Sequence, residues 1–132
     1  MSTTLSIAHY GHPLLKGAKH WSLLLLKSDD HATAYQTTGS TETYSFKEPE
    51  EEYFRRSDTY MGKVDIGTVD TAKLEKFEKI LRHVPITRGN LHWNCQNWVV
   101  EALQALKHGG FAVNALSHEE LDAALEQAKK DD

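Results

Sequence analysis

One side chain in this sequence stands out as a nucleophile for carbonyl chemistry: Cys95, the single cysteine among 132 residues. It follows Asn94, a residue type that caps helices, and leads into Gln96-Asn97-Trp98-Val99-Val100. The spacing predicts a helix opening at Cys95, running to Lys107 and stopping at Gly109-Gly110. A helix N-terminus carries roughly half a positive charge and holds an anion there, so a thiol at that point loses its proton more readily. The chemistry on offer is attack by a thiolate on an acyl carbon. Val99, Ala102, Leu103 and Leu106 form the face that buries the helix. Trp93 and Trp98 are expected to wall a groove around the thiol, with Asn94, Gln96 and Trp21 completing the oxyanion and pocket surface.

A thiol nucleophile needs a base, and eight histidines compete for the role. His9 and His12 read as part of a Gly/Pro loop. His83 and His108 fall near helix C-termini, where a cation complements the dipole. His118 belongs to a capping box. His92, three residues before Cys95, points away from the helix start. His20 opens the apolar strand His20-Trp21-Ser22-Leu23-Leu24-Leu25-Leu26, where burying a titratable ring without purpose is costly. His20 is the candidate base.

The next segment, His31 to Thr38, is rich in Thr and Tyr and pairs with the first as a β-hairpin across Lys27-Ser28-Asp29-Asp30. If the turn centres on Asp29, Ser22 opposes Gln36 and His20 opposes Thr38. Period-two alternation then sets His20, Ser22, Gln36 and Thr38 on one face, and Gln36 becomes the candidate to orient the His20 ring. A one-residue slip substitutes Tyr35 or Thr37. His31 lies too close to the turn for an easy reach.

The elements that must hold these groups are strands first and helices after. Leu5 to Tyr10 reads as a strand, Thr43 to Phe46 as a short one, and Thr59 to Gly67 as another. Glu48-Pro49-Glu50-Glu51-Glu52, followed by Arg55-Arg56, reads as a solvated, charge-mixed loop. Asp70 caps a helix with an apolar stripe of Leu74, Phe77, Ile80 and Leu81, closed by Pro85. Ser117-His118-Glu119-Glu120 is a capping box that opens a last helix along Leu121, Ala124, Leu125 and Ala128. The expected fold is α+β: a small antiparallel sheet packed against about three helices, as a single domain over residues 1–132.

Composition narrows the partners. A net charge of -4 with no Lys/Arg cluster argues against nucleic acid or an anionic membrane surface. The four apolar residues Leu23 to Leu26 are far short of the roughly 20 that span a bilayer. The N-terminus carries no basic region followed by an apolar run, so a cytoplasmic location is expected, where a lone thiol stays reduced. One cysteine forms no internal disulfide, and the histidines lack metal-ligand spacing; no cofactor or metal is expected.

The His20-Trp21 strand, a second strand with a polar residue, and a late helix opening Asn94-Cys95-Gln96-Asn97-Trp98-Val99 resemble the permuted papain-like hydrolases. These are the relatives of lecithin:retinol acyltransferase, the PPPDE-type isopeptidases and, more distantly, the NlpC-type peptidases. The likeness covers about residues 18–38 and 90–107, under a third of the chain. It implies a papain-like core in permuted order, with the His strand before the Cys helix. It further implies Cys95 as nucleophile, His20 as base and the Cys95 backbone N–H in an oxyanion hole. The implied activity is that of a cysteine hydrolase or acyltransferase on an amide, isopeptide or ester of a small-molecule or peptide/protein acyl substrate. In this chain Asn97 stands where the family has His, Trp98 where it has Phe, and Gln36 where the acyltransferases have an orienting histidine. The end Ala128-Lys129-Lys130-Asp131-Asp132 lacks the apolar anchor of the acyltransferase relatives, so a membrane-lipid substrate is not expected. The competing reading is a non-catalytic binding module that retains the fold.

Overall fold

A strand sends alternate side chains to opposite faces, so the unbroken apolar run at residues 21–26 implies a sheet covered on both sides. The computed structural model, which describes residues 1–11 and 19–128, has that architecture. Trp21, Leu23 and Leu25 enter a large core with Leu5, Ile7, Tyr35 and the helix residues Phe77, Leu81, Val99, Leu103, Leu106 and Leu121. Leu24 and Leu26 face a smaller cluster made with Ala8, Ala32, Ala34, Phe54 and Tyr60.

The strands are β1 (Ser2–Tyr10), β2 (His20–Leu26), β3 (Ala32–Thr38), β4 (Ser45–Glu52), β5 (Tyr60–Asp70) and β6 (Ala112–Val113). The helices are α1 (Leu74–Arg82), α2 (Cys95–His108) and α3 (His118–Gln127). The six strands form one antiparallel sheet in the order β4-β3-β2-β1-β5-β6, and the fold is α+β. Leu23 pairs with Tyr35 and Leu26 with Ala32, the register expected for a turn centred on Asp29. Among the described residues no helix is long and apolar enough to cross a membrane.

Two sequence expectations need correction. The acidic stretch is not a loop: Ser45–Glu52 is the edge strand β4, with a bulge opposite Tyr35 where Pro49 interrupts the pairing. An edge strand has one open side, and there Pro and charges are tolerated. Its carboxylates are tied by Lys27 to Glu51 and by Arg82 to Glu48. His9 is not in a loop either; it lies in β1, paired with Trp21, and is buried. His12 falls outside the described residues. β6 is two residues that bridge to Gly67 and Thr68 of β5, too short to leave a sequence signal.

The β5–β6 approach is where a glycine is required. A Cβ at Gly67 would run into the Ala112 carbonyl and sit 2.7 Å from Val113 Cα, both backbone atoms that cannot swing aside. Gly67→Ala should therefore destabilise the fold by about 1–3 kcal/mol, read as a lower urea midpoint with an unchanged slope.

Candidate active site

The helix cap comes first. Asn94 has extended backbone angles, and its side-chain oxygen accepts the Gln96 N–H at 2.9 Å. Asn97 returns the favour, accepting the Asn94 N–H at 2.9 Å, so the two amides form a capping box. Asn97 is thus engaged in closing the helix start. The box takes the N–H groups of Gln96 and Asn97 and leaves that of Cys95, the first residue of α2.

The start of α2 is docked on the start of β2. Gln96 Nε2 donates to the Lys19 carbonyl at 2.7 Å, and Cys95 Sγ lies 3.9 Å from the same oxygen. Gln96 Oε1 in turn accepts from His118 Nε2 at 2.7 Å, and the His118 ring meets Trp21 edge-on. Gln96 is therefore a buried strut between the start of β2 and α3, with its side-chain amide bonded at both ends to Lys19 and His118. This corrects the expectation that its side chain lines the pocket. Trp21 and Trp98 are corrected likewise: both are core residues, 1% and 0% exposed. Trp98 continues the Val99, Ala102, Leu103 and Leu106 stripe and packs on Phe46, while Trp93 does reach the pocket.

Around Cys95 stand three influences. Burial pushes the thiol up, but hydrogen bonding to the His20 ring, to the Trp21 backbone and to the Gln96 backbone outweighs it, together with the His20 charge. The result is a thiol held below its ordinary value. For His20, burial pushes the ring down, while hydrogen bonds to Cys95 and Gln36 and the charges of Cys95 and Glu52 carry it above its ordinary value. Both shifts favour a thiolate beside an imidazolium.

His20 Nε2 lies 2.5 Å from Gln36 Oε1. An amide oxygen only accepts, so Nε2 carries the proton and Nδ1 is the nitrogen left for the thiol. The other end of the Gln36 amide meets Glu52, whose half-buried carboxyl accepts from it. Burial, then the Glu50 charge, hold Glu52 above the usual carboxylate range despite that bond and the Lys47 charge. The chain Cys95–His20–Gln36–Glu52 runs across α2, β2, β3 and β4.

Glu52 and His118 were not singled out by sequence. Both act over long separations, His118 on Gln96 at 22 residues and Glu52 on Gln36 at 16, which no local pattern reports.

Two openings adjoin His20. A neutral pocket of about 320 Å³ is lined by Cys95, His20, Thr37, Tyr44, Leu91 and Trp93, among others. A charged cleft of about 770 Å³ includes Tyr10, Gln36, Lys47, Glu52 and Arg56. Among the described residues, no three His, Cys, Asp or Glu side chains are grouped to hold a metal ion.

One family model matches, over residues 12–112, and its description is a family of unknown function, DUF6540. No curated protein and no solved structure matches the chain.

Proposed function

Because the chain belongs to the DUF6540 family, whose function is unknown, an activity has to be argued from the site, and we propose a cysteine hydrolase or acyltransferase of papain-like type. The observation that carries it is the grouping itself: a thiol at a capped helix N-terminus lines one pocket with a histidine that lowers its pKa and whose Nε2 is held by Gln36 at 2.5 Å. Nucleophile, base and orienting group are the three parts such chemistry needs.

In the proposed mechanism His20 takes the proton of Cys95, and the thiolate attacks the carbonyl carbon of an amide, isopeptide or ester. The C–S bond forms and the negative charge moves to the carbonyl oxygen, where the Cys95 N–H left by the capping box donates to it. The tetrahedral intermediate collapses; the C–N or C–O bond breaks, and the His20 imidazolium protonates the departing amine or alcohol. Water or an amine then attacks the thioester, gives its proton to His20 and expels the Cys95 thiolate. A single reactive thiol of this kind fits a reducing cytoplasm.

The test is chemical trapping. Incubation with p-nitrophenyl acetate, followed by acid quench and intact-mass measurement, should show one acetyl group, removable by neutral hydroxylamine and mapped to Cys95. Cys95→Ala should take up none and release no p-nitrophenol above the buffer rate. Acetylation that maps elsewhere, or equal release by Cys95→Ala, overturns the proposal in favour of a binding module.

A further inference from the structure

The neutral pocket beside Cys95 has a composition that selects. Among the described residues its lining includes no Lys, Arg, Asp or Glu. One wall is aromatic and fixed: the Tyr44 ring sits edge-on to Trp93, centroids 5.4 Å apart, and Trp93 Nε1 donates to Glu101 at 2.9 Å. Leu91 stands at the rim, 86% exposed. Thr37, 3% exposed, also lines it, and among the described residues its hydroxyl has no hydrogen-bond partner. Native structures leave few buried hydroxyls unpaired, and one that lines a pocket next to a nucleophile marks where a ligand's polar group belongs. The volume of about 320 Å³ is at the small end of ligand sites, which run from about 300 to 1,000 Å³. That room suits one side chain.

We infer that this pocket receives the acyl half of the substrate, and that the acyl half is an amino-acyl group of a peptide, with an apolar side chain against Tyr44, Leu91 and Trp93 and an amide bonded to the Thr37 hydroxyl. The inference rests on Cys95 being the nucleophile and adds the substrate class to that reading. A charged side chain entering here would lose its water and meet only charges that Cys95 and His20 already pair with each other. An ester of a fatty acid would fill the apolar wall but leave Thr37 unpaired.

Chloromethyl ketones of N-acetylated leucine, phenylalanine, lysine and aspartate, with a dodecanoyl analogue, test this on the full chain. Each alkylates a thiolate with loss of chloride, and the rate of Cys95 labelling is followed by mass. Every rate is divided by the iodoacetamide rate of the same variant, which removes differences in thiol reactivity. The Leu and Phe probes should label at least about tenfold faster than the Lys, Asp and dodecanoyl probes. Thr37→Val, which keeps shape and drops the hydroxyl, should reduce the Leu probe's relative rate by about tenfold. Leu91→Glu, at an exposed position that the fold does not depend on, should narrow the Leu-over-Lys preference. Equal relative rates across the probes, or a Leu preference indifferent to both variants, overturn the inference while the nucleophile assignment stands. Native Cys95 inert to iodoacetamide as well would instead remove the nucleophile, and this inference with it.

Discussion

Iodoacetamide should alkylate native Cys95 quickly at neutral pH, with a rate inflection below the roughly 8.5 of a free cysteine. The direction follows from the site: burial raises the thiol, but the His20 ring, the Trp21 backbone and the Gln96 backbone together lower it further than burial lifts it. His20→Ala removes the largest of the lowering influences and leaves the helix start and the backbone groups. Its inflection should move upward, and turnover should fall by about a thousandfold or more, since base and acid are lost together. The sign of the pH profile is fixed by the same pair. The thiolate forms as pH rises through the lowered Cys95 value, and the imidazolium acid disappears as pH rises through the raised His20 value. Acyl turnover should therefore be bell-shaped, whereas alkylation, which needs only the thiolate, should rise and stay high. A buried structural thiol behaves otherwise, reacting slowly at every pH until denaturant opens the protein. That result would end the case for a nucleophile and leave a binding module.

The groups that converge are legible in sequence to the extent that local rules fix them. Asn94 and Cys95 were legible because a cap is a matter of adjacent residues, and the box with Asn97 completes it within one turn. The β2–β3 register followed from a short polar turn flanked by matched runs, and it brings Gln36 to His20. Trp98 was misread although its signal was present: it stands one, four, five and eight residues from Val99, Ala102, Leu103 and Leu106, on the buried stripe of α2. His9 was misread because Gly11 and Pro13 drew the loop boundary too early, while the alternation of Leu5 and Ile7 continues through it into the sheet. Glu52 had no local signal strong enough. Pro49 argued against a strand, and only the open side of an edge position, with its bulge, reconciles them.

Gln36→Ala should lower turnover by about ten- to a hundredfold, less than loss of His20, because Gln36 orients the ring and does not react. Its amide is held at both ends: the oxygen accepts from His20 Nε2, and the nitrogen donates to the Glu52 carboxyl. Without the second contact the amide is free to turn over and present its N–H₂ to the ring, which would force the wrong tautomer on His20. Glu52→Gln keeps the size of the side chain and removes the charge. Besides slowing turnover, it should shift the descending limb of the bell to lower pH, since the Glu52 charge is one of the influences that raise His20. The ascending limb, set by Cys95, should move far less. If the two residues work through one chain of hydrogen bonds, the double variant should be no slower than Gln36→Ala alone. Additive losses, or a Glu52→Gln profile that keeps both limbs in place, would reduce Glu52 to a member of the β4 edge and leave Gln36 to hold the ring by itself.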